Sequence, residues 1–209
     1  MLKLSSWMPR LLVASFTALT VLASPASAQQ TPMTRIRGTI ESVDGNTLAI
    51  KTREGTDVKV NMTDNVAVFA VVKTELSQIK EGSYIGVSAM PQPDGTQKAF
   101  AVHIFPENQR GAAEGFRPWD ARANSTMTNA TVAETVKGTD GQNITVKYKD
   151  GEKKVVVPPD TPIVTFIASD KSEVKPGAKL IIFGAAKKED GTLEANRVNV
   201  GRDGITPPM

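Results

Sequence analysis

Val43-Asp44-Gly45-Asn46-Thr47-Leu48-Ala49-Ile50 and, 96 residues further on, Thr139-Asp140-Gly141-Gln142-Asn143-Ile144-Thr145-Val146 decide the fold. Each stretch sets an Asp-Gly pair against apolar residues that recur at every second position, Leu48 and Ile50 in the first and Ile144 and Val146 in the second. Gly accepts a positive φ without penalty and Asp tolerates it, so the pair reads as a tight turn between two strands. The same hairpin is written twice.

Working outward, Gly55 and Gly95 fall on Gly151 and Gly191 at the same offset, each behind an acidic residue (Glu54, Asp94, Asp150 and Asp190). The apolar positions follow, Val60 onto Val156, Val68 onto Val164, Val102 and Ile104 onto Val198 and Val200. One residue drops out midway, where Ile79-Lys80-Glu81-Gly82 answers to Val174-Lys175-Pro176-Gly177. This predicts an all-β chain made of two copies of one unit.

In the first copy the strands are expected at Ile36 to Val43, Thr47 to Thr52, Asp57 to Met62, Tyr84 to Met90 and Lys98 to Phe105. A less regular apolar stretch runs from Val66 to Val72, and a helical turn is expected at Glu75 to Lys80. The second copy repeats the order: Ala130 to Thr135, Asn143 to Tyr148, Lys153 to Val157, Ile163 to Phe166, a turn at Asp170 to Val174, Lys179 to Phe183 and Leu193 to Val200. Three meandering strands, a short helical connection and a closing hairpin predict a small five-stranded OB-like barrel in each copy. The alternative is a two-sheet sandwich; closure is favoured for a unit of about 70 residues without disulfides, which buries only about 60% of its unfolded surface and cannot leave long strand edges bare.

The expected organisation is a signal peptide at 1–28, barrels at 34–107 and 125–202, a linker at 108–124 and a tail at 203–209. Lys3 and Arg10 supply a basic start, Leu11 to Leu22 an apolar run, and Ala26-Ser27-Ala28 the small residues of a cleavage site. The run is shorter than the roughly 20 residues that span a bilayer, so the mature chain is expected to be periplasmic or secreted, with no transmembrane segment. Two of the 25 basic residues and none of the 22 acidic ones lie in 1–28, which leaves a charge of +1. A near-neutral chain offers no electrostatic case for nucleic acid. With no cysteine, disulfides and thiolate metal sites are excluded.

The unit Gly38-Thr39-Ile40, Val43-Asp44-Gly45-Asn46-Thr47-Leu48, Gly55 and Ile79-Lys80-Glu81-Gly82 resembles the DUF5666-type domain of exported bacterial proteins. The second copy departs from it, with Ala130 in place of Gly38 and an extra residue in Lys137-Gly138-Thr139. Including Arg117-Pro118-Trp119-Asp120 and Ser125-Thr126-Met127-Thr128-Asn129, the chain is similar to small exported alphaproteobacterial proteins, some labelled "metal ABC transporter permease". The resemblance implies an exported tandem-domain protein and brings no activity or cofactor with it. The permease label conflicts with a chain in which no segment after residue 28 could span a membrane.

The remaining chemistry is sparse. Asp44, Asp94, Asp140, Asp150 and Asp190 all precede Gly and are accounted for by turns. His103, the single histidine, alternates with Val102 and Ile104 and is expected on a solvent face, with Asn199 as its counterpart. The scattered methionines form no metal motif, and neither a catalytic set, a cofactor nor a metal is expected. The expected function is a non-enzymatic envelope protein binding a protein partner or small ligand. An enzyme using His103 with a carboxylate, or a purely structural or stress-related envelope protein, is the alternative. The candidate groove residues are Phe116, Arg117, Trp119, Asp120, Tyr84, Tyr148 and Phe105, because a flexible linker has no physical use for a Phe-Trp pair.

Overall fold

Alternation of apolar and polar residues punctuated by Asp-Gly or Glu-Gly turns yields strands throughout, with no α-helix among the described residues, 33–139 and 141–209 of a computed structural model. The expected signal peptide and Asp140 lie outside them. No helix among the described residues is long and apolar enough to cross a membrane.

The chain first lays down β1 (Met33–Asp44), β2 (Thr47–Thr52) and β3 (Asp57–Thr74) as an antiparallel meander. After a single 3-10 turn at Leu76–Gln78 come the hairpin β4 (Tyr84–Pro91) and β5 (Gln97–Ile104), then the short β6 (Gly115–Trp119). The second half gives β7 (Ser125–Gly138), β8 (Gly141–Tyr148), β9 (Gly151–Val157), β10 (Ile163–Ser169), β11 (Lys179–Lys187) and β12 (Leu193–Gly201). Gly45 has φ 55°, as the first hairpin turn requires.

The order β12-β11-β1-β2-β3 closes on itself through parallel pairing of β12 with β3, forming a five-stranded barrel with the remaining strands outside it. Ile36, Ile40, Leu48, Ile50, Val60, Leu180, Ile182 and Val198 fill its interior. Outside it, β5-β4-β7-β8-β9 is joined end to end by a short parallel contact of Gln97 and Lys98 with Val155 and Val156. Ile85, Val87, Val102, Ala130, Ile144, Val146 and Val155 pack within that second ring. β10 bridges the two, antiparallel to β3 and parallel to β5.

The pairing crosses the two sequence copies. Each expected copy, 34–107 and 125–202, sends its last hairpin into the sheet begun by the other, β11–β12 onto β1 and β3, β4–β5 onto β7 and β9. The cause lies in β3. Val66 to Val72 contains no turn signal, so the strand runs on for 18 residues, roughly 60 Å of contour, and delivers the chain beyond its own ring. In the second copy Pro158-Pro159 separates β9 from β10 at the matching point. The β3–β10 register maps onto itself under the repeat offset: Val68 faces Ser169 and Lys73 faces Val164, each pair being the other moved by 96 residues. That is the signature of a local two-fold relation.

Candidate functional site

Directly paired residues in neighbouring strands point their side chains to the same face. Val164, His103, Gly86, Asn129 and Gly115 stand abreast across β10, β5, β4, β7 and β6 in this way. The row lies on the outer face of the second ring, opposite its Ile85–Val87–Val102 interior. The next row along is Ala101, Ser88, Met127 and Arg117. The missing side chain of Gly86 leaves room for the His103 ring, and nothing stands within 4 Å of where a Cβ on Gly115 would lie.

The first ring supplies the opposing wall through Arg35 of β1, Phe183 of β11 and Arg197 of β12. The loop at Ala112 and Ala113 borders it as well, and the cavity has a volume of about 320 Å³. The loop is tied down from below: the Ala112 carbonyl accepts hydrogen bonds from Tyr84 Oη (3.2 Å) and Asn129 Nδ2 (3.0 Å). Ala113 sits at φ 46°, and its carbonyl accepts from Arg117 Nη1 at 2.8 Å.

Aromatic rings line the interior. His103 lies 4.5 Å from Phe105 and 5.4 Å from Phe166 between ring centroids, and Phe183 packs 6.3 Å from Phe166 and 6.5 Å from Trp119. Trp119 is 8% exposed and joins Val71, Val164, Phe166 and Ile181 in the apolar cluster between the rings. The Arg35 guanidinium stacks 3.8 Å above its ring.

Three arginines line the cavity and no acidic residue does. Arg35 and Arg37 both bind Asp120, at 2.7 Å each. Burial alone would raise the Asp120 carboxyl, yet the hydrogen bonds from Arg37 and Arg35 outweigh it and hold it at about 2. Arg117 and Arg197 meet no carboxylate among the described residues. Arg197 instead bonds Asn199 Oδ1 (3.1 Å) and Gln109 Oε1 (3.0 Å) and lies 4.0 Å over Phe69. Burial lowers the pKa of both, and the charge of Arg35 adds to the effect at Arg117.

The expected solvent-facing position of His103 is corrected here. It is 3% exposed, packed between Phe105 and Phe166. Burial first, and then the charges of Arg117 and Arg197, push its pKa down to about 3, so the imidazole is neutral at any physiological pH. Its Nδ1, the Oδ1 of Asn129 and the Nε1 of Trp119 have no hydrogen-bond partner among the described protein atoms. Buried polar groups without partners are rare in folded proteins, and these three belong to residues that line one cavity.

Of the residues expected in a groove, Phe105, Arg117 and Trp119 line this cavity. Tyr84 packs 5.1 Å behind Phe105, with burial raising its hydroxyl to about 12, and Asp120 anchors two arginines at the rim. Phe116 points elsewhere, 39% exposed beneath Lys153, and Tyr148 packs on the core of the second ring. Arg35, Asn129, Phe166, Phe183 and Arg197 escaped the sequence reading, since nothing local marks them and only long-range pairing assembles them. Among the described residues no group of three His, Asp or Glu could hold a metal. Comparison of the chain with protein-family models, curated proteins and solved structures found no match.

Proposed function

We propose that this chain is a non-enzymatic binding protein of the bacterial envelope, exported by its N-terminal segment and built from two OB-like barrels of the DUF5666 type that exchange their closing hairpins. The strand order β1-β2-β3-β12-β11, with its one parallel contact between β3 and β12, supports the OB-like reading. The exchange makes the pair of barrels one unit and gives it a shared wall.

The observation that carries the binding reading is the cavity in that wall: aromatic sides, two guanidinium groups without carboxylates, and buried His103, Asn129 and Trp119 atoms without partners. Concave, mostly apolar pockets with a few converging polar groups are where small ligands bind. The alternative of acid–base catalysis by His103 has against it an imidazole flanked by cations, with a pKa of about 3.

Mass spectrometry of the chain purified from the periplasm, paired with a thermal-shift screen of small organic acids, amines and saccharides, tests the proposal. A ligand that binds only the native state raises the apparent stability by RT ln(1 + [L]/Kd). The expected result is a co-purified small molecule or a saturable rise in Tm that Trp119→Ala removes. A clean apo protein with no Tm response in any class overturns it.

A further inference from the structure

Resting on that reading, we infer that the cavity between the rings takes a planar aromatic carboxylate. Its lining selects against the other classes. A cation would meet Arg117 and Arg197, which have no carboxylate partner among the described residues, beside Arg35, whose partner Asp120 is not among the lining residues. A neutral saccharide would bring no opposite charge to the guanidinium groups of Arg117 and Arg197.

An aromatic carboxylate answers the two guanidinium groups and the aromatic walls. Arg117 and Arg197 are held in place through neutral acceptors, the Ala113 carbonyl for one, and Asn199 and Gln109 for the other. Each retains N–H donors for an anion, and a guanidinium fork matches a carboxylate in two parallel hydrogen bonds. The neutral His103 ring lines the same cavity. The flat part of the ligand meets edges and faces of the same aromatic cluster that packs the inter-ring wall. A cavity of about 320 Å³ suits one carboxylate on one or two fused rings.

Isothermal titration of the full chain with 2-naphthoate, its neutral isostere 2-naphthamide, and acetate tests this. Naphthoate is expected to bind at least about tenfold tighter than either comparator, the margin of a charge-assisted hydrogen bond. Arg117→Met and Arg197→Met should each weaken naphthoate by about tenfold or more and leave the amide within about twofold, with unchanged melting curves showing that both variants fold. Equal affinity for acid and amide would overturn the anionic class while leaving a binding pocket in place. Naphthoate affinity indifferent to both variants would put the ligand elsewhere, and no binding by acid or amide would overturn the inference outright. The thermal-shift screen decides the broader binding reading separately.

Discussion

The imidazole of His103 occupies the place where a side chain on Gly86 would stand. The two are cross-strand partners on β5 and β4, and a Cβ built on Gly86 would collide with Cε1 and Nε2 of the ring and come within 2.8 Å of Asn129 Oδ1. The glycine is therefore required by space, its φ being ordinary, and it brings the buried histidine and Asn129 together across one backbone.

Gly86→Ala is expected to destabilise the protein by about 1–3 kcal/mol, the usual cost of forcing atoms into a packed site. His103→Ala removes the obstacle. The double variant should be more stable than the sum of the singles predicts, by at least about 1 kcal/mol, in urea melts followed by far-ultraviolet circular dichroism. Strict additivity would show that the collision is relieved elsewhere.

Stability should fall on mild acidification because of the same ring. An unfolded chain protonates His103 near pH 6.5 and the folded one only near about 3, so between these values the unfolded state binds the extra proton. The contribution vanishes above pH 6.5 and grows downward with a slope of at most about 1.4 kcal/mol per pH unit. The chain has a single histidine, so urea melts between about pH 7 and pH 5 isolate it from the carboxylates. His103→Asn, which copies its counterpart Asn199, should flatten the dependence; a slope that survives the change would assign it to another group.

Exchange of hairpins predicts that neither sequence copy folds alone as a monomer. Residues 33–109 carry β1 to β3 without β11–β12 to close them, and 110–209 carry β7 to β9 without β4–β5. Each fragment alone should be unfolded or self-associated, and mixing them should yield a one-to-one complex with the circular dichroism of the intact chain, as read by light scattering after size exclusion. Two monomeric, folded fragments would contradict the exchange.

Much of the fold was written in the sequence because its signals are local. Asp44-Gly45, Asp94-Gly95 and Asp190-Gly191 fix turns through backbone geometry, and the alternation around them fixes which residues face the ring interiors. The partner of each closing hairpin was not legible, and the repeat itself is the reason. Val198 and Val200 present to β3 an apolar pair patterned like Val102 and Ile104, so alternation does not distinguish pairing within a copy from pairing between copies. His103 was misplaced for a related reason. Alternation tells which side of a strand a residue takes, and not what packs over that side. Trp119 could be singled out by its size, whereas Arg197 and Phe183 reach the cavity only through contacts set by the exchange.

The pairing of Met33 on β1 with Ala186 on β11 also sets an order in time. As the chain is made or threaded from its N-terminal end, β1, β2 and β3 emerge with no strand to close them, and the first barrel stays unfinished until nearly the whole length is available. Contacts so distant in sequence must repay a long loop closure before they reward it, so folding should be slow and late. On the export route proposed above, a chain that cannot complete the first barrel early would enter a narrow channel still extended and become compact only on the far side.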